Sequence, residues 1–165
     1  MELRKAERTE LPAIWEIIQH AIEQRRLDGS RQWQDGYPKP GTLEDDLEQG
    51  YAYVLEENGE LLLYAAVIFE PEPAYEGIEG RWLTNGAYLV LHRVAVSPKA
   101  AGQGIGTVFF RMAEDLCRAQ GVRSIKVDTN FDNKPMLRIL EKLGYTYCGE
   151  VYFRGSARRA YEKVL

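Results

Sequence analysis

The segment from Ala87 to Thr107 constrains this chain most. Ala87 to Val96 is a near-continuous apolar run, the pattern of a buried central strand. Ser97 to Ala101 follow it, and then glycine recurs at 102, 104 and 106. Ile105, Val108, Phe109, Met112, Ala113 and Leu116 then repeat at helical spacing, so a helix opens directly out of the glycines. Glycine lets a backbone turn tightly and lets a ligand approach its amides. A helix start adds unpaired N–H groups and the positive end of its dipole. Strand, glycine loop and helix together predict a phosphate site. The plainer alternative is a flexible loop that merely starts a helix.

Two common phosphate folds do not fit. A P-loop needs Gly-x-x-x-x-Gly-Lys-Ser/Thr, and no lysine follows Gly106. A dinucleotide site places Gly-x-Gly-x-x-Gly at once after its strand. Here five residues separate Val96 from Gly102, and Thr107 stands where the third glycine belongs. Asp128 does lie at a strand end, where a ribose-binding acid would sit. Too little chain remains, however, to build a doubly wound sheet.

The rest of the chain sets the fold class. Glu2 to Ala6 reads as a strand, and Thr9 is placed to cap a helix running to about Leu27. Its face is Leu11, Ile14, Trp15, Ile18 and Ile22. Asp28 to Pro40 reads as a loop that carries Trp33 and Tyr37. A short helix follows from Thr42 to Gln49, with Thr42 and Asp45 in capping-box spacing. Tyr51 to Glu57 and Glu60 to Phe69 are strands joined by Asn58-Gly59, a tight hairpin signal. Glu70 to Gly86 is a long loop, of the kind often functional. Arg123 to Thr129 reads as a strand. Asn133 caps a helix from Lys134 to Leu143, and Gly121 and Gly144 are the left-handed stops of the last two helices. Tyr145 to Phe153 and Arg158 to Leu165 form a final antiparallel pair. The order β α α β β β α β α β β predicts an α/β (α+β) chain, residues 1–165 as one domain. Its mixed, mostly antiparallel sheet would carry helices on both faces.

Composition excludes other classes. With 45% hydrophobic and 28% charged residues, the chain is neither disordered nor a disulfide scaffold. Its longest apolar run, Leu61 to Phe69, is half a membrane span. The charged N-terminus has no signal-peptide core, so a cytoplasmic protein without a membrane partner is expected. The net charge of −4 argues against nucleic acid as the main partner. Charge is unevenly spread: residues 1–117 carry a net −9 and residues 118–165 a net +5. That division suits a cationic substrate and a polyanionic cofactor, and chance asymmetry of solvated faces explains it equally well. Cys117 reads as a small core residue and Cys148 as an exposed thiol. Neither has metal-ligand spacing, and no metal is expected.

At this point the sequence resembles the GNAT superfamily of acetyl-CoA-dependent N-acetyltransferases. The family signature Arg/Gln-x-x-Gly-x-Gly/Ala falls on Ala101 to Gly106, after the lead-in Val94-Ala-Val-Ser-Pro98. The later Asn-x-x-Ala-x-x-Leu-Tyr-x-x-x-Gly-Phe element aligns with Asn133 through Tyr145. The resemblance implies acetyl-CoA as co-substrate and a splayed pair of parallel central strands, 87–96 and 123–129. It implies that Gly102 and the amides of Gln103, Gly104, Ile105, Gly106 and Thr107 bind the pyrophosphate. Backbone groups of Val94 and Val96 would pair with the pantetheine arm, and Asn133 would contact pantetheine or phosphate. Two positions depart from the pattern. Ala101 replaces the Arg/Gln, which removes a side-chain phosphate contact but leaves the backbone cradle. Leu140 replaces the tyrosine that commonly protonates the leaving thiolate. A thiol pKa of about 8.5 makes the thiolate a tolerable leaving group. Tyr145, Tyr147 or water could supply the proton instead.

The transfer needs a free amine, and an alkylammonium has a pKa of about 10.4, so a base or a desolvating pocket is required. His92, on the cleft strand, is the first candidate base, against the plainer reading of a hydrogen-bonded core histidine. Glu70 and Glu72, acting through water, are rivals. A backbone N–H near Val94 could polarise the thioester carbonyl. Trp33, Tyr37, Trp82 and Tyr88 could shape a pocket for a small-molecule amine. An edge strand near the C-terminus could pair in a homodimer. The other reading is a non-catalytic acyl-CoA-binding or regulatory domain.

Overall fold

Asn58 and Gly59 take φ of 52° and 80°, the left-handed pair that a two-residue hairpin turn requires. They join β2 (Ala52–Glu57) to β3 (Glu60–Ile68). The computed structural model describes residues 1–165. Its eight strands are mostly antiparallel, and it has five α-helices: a mixed α/β chain. The chain forms two compact units, Met1–Val67 with Arg93–Met112, and Ile68–His92 with Ala113–Leu165.

In the first unit, β1 (Glu2–Lys5), β2 and β3 form an antiparallel meander, with Leu3 opposite Leu55 and Val54 opposite Tyr64. Helix α1 (Leu11–Leu27) buries Ile14, Ile17, Ile18 and Ala21 in a core shared with Leu43, Val54 and Tyr64. Each large aliphatic side chain so buried contributes roughly 1.5–3 kcal/mol. The start of α1 differs from the Thr9 cap that the sequence suggests. Residues 8–10 form a 3₁₀ turn ahead of the helix, and Glu10 closes that turn by accepting from the Glu7 N–H at 2.8 Å. A carboxylate accepts more strongly than a hydroxyl, and Arg4 holds it in place at 2.8 Å. Helix α2 (Pro40–Gln49) likewise begins earlier than expected. Thr42 sits in its first turn and accepts from the Lys39 N–H at 3.3 Å.

The second unit orders its strands β5-β6-β8-β7-β4. These are β4 (Glu79–Gly80), β5 (Leu89–Val96), β6 (Ser124–Thr129), β7 (Thr146–Phe153) and β8 (Ser156–Val164). The β5–β6 pair is parallel, and its register holds only at Leu89 with Ile125 and Val90 with Lys126. Both strands continue past that point, so the pair splays there, as the resemblance implies. Helix α4 (Ile105–Ala119) ends at Gly121 (φ 71°), and α5 (Lys134–Lys142) ends at Gly144 (φ 81°). Asn133 caps α5, its Oδ1 accepting from Met136 N–H at 3.4 Å.

The stretch from 70 to 86 is not an open loop. It holds α3 (Pro73–Glu76) and β4, and the two-residue β4 pairs with β7. So β7 is not a bare edge strand near the C-terminus. Gly80 and Gly149 face each other there, and a Cβ on either would collide with the opposing backbone. Only glycine allows that approach. Glu162, fully buried, accepts from Leu83 N–H and Ser124 Oγ at 2.7 Å each, and from Thr84 Oγ1. The ammonium of Lys126 lies 4.6 Å from the Trp82 ring and 4.1 Å from the Tyr88 ring. Cys148 is buried rather than exposed, under this segment's Arg81, whose N–H donates to the Cys148 carbonyl at 2.9 Å.

One strained residue sits inside β5. Arg93 takes φ of 53°, a left-handed conformation uncommon for a side-chain-bearing residue. Its guanidinium grips Asp46 twice, at 2.8 and 2.5 Å, and donates to Tyr37 Oη at 2.6 Å. Tyr64 donates to the same carboxylate at 2.5 Å. Asp46→Ala leaves a buried guanidinium without its counter-charge, so a loss of about 3–5 kcal/mol is expected. Glu48→Ala breaks the exposed pair with Arg8 at 4.0 Å and should change stability by less than about 1 kcal/mol. Urea unfolding of the two variants side by side checks the contrast.

Candidate active site

The glycine loop forms as its sequence predicts. Ser97 ends β5, its N–H donating to Leu62 O at 2.8 Å, and starts a 3₁₀ turn over Pro98–Ala100. Gly102 and Gly104 follow at φ of 75° and 71°. Val108 N–H makes a bond back to Gly104 O at 3.1 Å. The N–H groups of Ile105, Gly106 and Thr107 therefore belong to the helix's first turn, where no earlier carbonyl can take them. Gln103 N–H turns back to Ala100 O at 3.4 Å. A Cβ placed on Gly102 or Gly104 meets no atom within 4 Å, so space above the loop is open. Residues 101–104 are exposed, while Ile105 and Gly106 are buried.

Val94, just past the strained Arg93, presents its carbonyl to Arg25 Nη2 at 3.3 Å. A carbonyl has two lone pairs, so this contact leaves room for a second donor. Arg25 in turn stacks 3.8 Å above the Trp33 ring. A cavity of about 400 Å³ lies between α1 and residues 33–40, lined by Trp15, Ile22 and Trp33 among others.

His92 is held in the second unit by two carboxylates. Its Nε2 lies 3.2 Å from Glu72 Oε2, and its Nδ1 lies 3.6 Å from Asp128 Oδ1. The rings of Tyr75 and Phe153 meet it edge-on at 6.2 and 5.8 Å. Glu72 is fixed from behind, because its Oε1 accepts from Ala74 N–H at 3.3 Å at the start of α3. Its own N–H donates to Tyr88 Oη at 2.9 Å. Asp128 accepts from Tyr75 Oη at 2.6 Å and lies 3.8 Å from Arg158 Nη1. Full burial, and then the Asp128 charge, push the Tyr75 phenol well above its ordinary range.

The sequence pattern of the Acetyltransferase (GNAT) family matches residues 12–145. The chain belongs to this family. Among curated relatives it is 29% identical to N-acetyltransferase YesJ of Bacillus subtilis, over 84% of this chain and 81% of that protein. It is 28% identical to phosphinothricin N-acetyltransferase of Streptomyces viridochromogenes, over 94% and 79%. A crystal structure of a GNAT-family acetyltransferase from Streptococcus agalactiae superposes with a TM-score of 0.90 at 39% identity, covering 99% of this chain and 95% of that one. The activity is therefore that of an acyltransferase. No helix is long and apolar enough to cross a membrane.

The residues expected at the site divide into three groups. Gly102 to Thr107 form one continuous backbone loop, and Val94 and Val96 lie on the strand that leads into it. His92 and Glu72, rival candidate bases by sequence, are hydrogen-bonded partners. Tyr145 has other neighbours. Its ring is buried, 5.9 Å from Lys163 Nζ, and burial, then Glu114 and Cys117, raise its phenol. Leu140, at the family's tyrosine position, is fully buried. The Asn133 carbonyl oxygen serves as a helix cap. Among the aromatics, Trp82 and Tyr88 pack on Lys126, Tyr37 binds Arg93, and Trp33 lines a cavity. Asp128 and Tyr75 were missed as partners of His92. The signal available was the strand alternation that puts Lys126 and Asp128 on one face.

The loop suits the pyrophosphate of CoA, since its positive-φ glycines and first-turn amides present donors and no side chain. Gly104→Glu should place a carboxylate in this cradle and abolish CoA binding. Gly104→Ala carries the same backbone strain without the charge and should keep most of it. Acetyl-CoA at 100 times its dissociation constant stabilises a binder by about 2.7 kcal/mol, so thermal unfolding with and without ligand separates the two variants.

Proposed function

We propose that this chain transfers the acetyl group of acetyl-CoA to the primary amine of a small molecule by direct attack, with both reactants bound at once. The observation that carries this reading is the pairing of His92, on the strand that runs on into the glycine loop, with Glu72 ahead of α3. Acetyl-CoA supplies a thioester whose carbonyl carbon is the electrophile. Amides of the loop at 102–107 hold its phosphates, and backbone groups of Val94 and Val96 align the pantetheine arm. The His92–Glu72 pair takes one proton from the acceptor's ammonium. The freed lone pair forms the C–N bond as the C–S bond breaks, and the nitrogen then gives its second proton to solvent to leave the neutral amide.

Tyr145 is the side chain assigned to return a proton to the thiolate. Its raised phenol makes it a slow donor, and a thiol pKa of about 8.5 lets the thiolate leave largely unaided. A small acceptor accords with the relative named for phosphinothricin. The carboxylates of Glu72 and Asp128 beside His92 favour an amine that arrives as a cation.

Release of free CoA on a panel of small amines and of peptides with free N-termini tests the acceptor class. Turnover of small amines is expected, and turnover of peptides alone overturns the small-molecule reading. His92→Ala should lower kcat on the best amine by about 10²-fold or more, with KM for acetyl-CoA unchanged. An unaltered kcat and pH–rate profile would return His92 to a structural role. Tyr145→Phe should lower kcat by less than about 10-fold, since an acid of high pKa contributes little by general catalysis near neutrality.

A further inference from the structure

The imidazole of His92 does not stand at the end of its network. Both of its nitrogens face carboxylates, Glu72 at 3.2 Å and Asp128 at 3.6 Å. The two carboxylates differ in kind. Glu72 has a side chain 21% exposed, within reach of a ligand, whereas that of Asp128 is 3% exposed. Asp128 is also the better anchored. Tyr75 Oη donates to its Oδ1 at 2.6 Å, and Arg158 Nη1 stands 3.8 Å from its Oδ2. Tyr75 is itself pinned, because Trp82 Nε1 donates to its carbonyl at 2.8 Å. The groups facing His92 are thus Glu72 before α3, Tyr75 on α3, Asp128 on β6 and Phe153 at the end of β7. Arg158 on β8 stands behind Asp128, its guanidinium 5.7 Å from the Phe153 ring.

We infer that Asp128 is a positioning residue for the transfer, fixing the His92 ring and stabilising its cationic form while the acceptor amine gives up a proton through Glu72. Asp128 takes no proton itself. When the ammonium N–H bond breaks, the proton reaches Glu72 or, through it, His92 Nε2. The Asp128 charge on the Nδ1 side then faces an imidazolium instead of a neutral ring. A buried carboxylate acts strongly on such a change because little water screens it. Its Tyr75 bond keeps the carboxylate from rotating away, and the buried phenol stays a donor throughout.

This inference rests on the reading of His92 as part of the base, and a double-mutant cycle separates the two. Asp128→Asn, His92→Gln and the double variant are assayed for kcat, for KM of acetyl-CoA and for unfolding midpoint. Asp128→Asn should lower kcat about 10-fold or more, short of the loss on removing the base itself, with KM for acetyl-CoA unchanged. In the His92→Gln background it should change kcat no further. An equal loss in both backgrounds, or no loss in either, overturns the inference. If His92→Gln keeps the full kcat, the base assignment falls first and this inference falls with it. Tyr75→Phe keeps the carboxylate and the ring while deleting only the 2.6 Å bond, so it covers the case in which Asp128→Asn does not fold. Its smaller loss of kcat should likewise vanish in the His92→Gln background, and persistence there overturns the inference.

Discussion

The bidentate pair between Arg93 and Asp46 is the contact on which this site depends. A left-handed residue in the middle of a strand is unfavourable by roughly 1–3 kcal/mol and persists only where its surroundings enforce it. Here the Asp46 carboxylate and the Tyr37 hydroxyl converge on one guanidinium, and Tyr64 donates to the same carboxylate. The consequence is local and geometric. Strand alternation is broken at Arg93, so three successive residues of β5 serve three different ends. His92 turns to its carboxylates, Arg93 to Asp46, and the Val94 carbonyl to Arg25. The boundary between the two compact units falls between the first two of these.

Charge around His92 is arranged to avoid the penalty that usually attends buried ions. An isolated buried carboxylate would raise its own pKa and neutralise. Asp128 accepts a hydrogen bond from the Tyr75 phenol and lies near Arg158, and Glu72 accepts from a helix-start amide as well as facing the ring. Segment 70–88 is held over this region by Glu162, by the aromatic contacts of Lys126 and by the glycine pair at 80 and 149. Those contacts order a stretch whose composition, with prolines and acids, would otherwise leave it loose. The order of that segment is what gives Glu72 and Tyr75 fixed positions.

Legibility in the sequence followed the range of each interaction. The hairpin at Asn58-Gly59, the α5 cap at Asn133 and the glycine loop rest on neighbours within a few residues, and the pattern states them directly. The splayed strands came from the resemblance alone, because nothing in the composition of 87–96 says where pairing stops. Asp46 with Arg93, Tyr75 with Asp128 and Glu72 with His92 span 47, 53 and 20 residues. No local period encodes such meetings. Thr9 is a reasonable cap by type, but it falls inside a 3₁₀ turn that Glu10 closes while Arg4 anchors the Glu10 carboxylate. Cys148 looked exposable beside a strand and is covered by β4, an element of two residues with no periodic signal at all.

The departures from the family pattern become intelligible once backbone and side chain are considered separately. The cradle at 102–107 is made of amides, so an alanine at 101 removes one contact and leaves the donors where they were. The position of Leu140 is core, where a leucine fills space and needs no hydrogen-bond partner. The polar side chains around His92 are a separate matter, drawn from β5, β6 and the segment at α3. A change at Arg93 differs in kind from a change at either family position, because it acts on the backbone course of β5 itself.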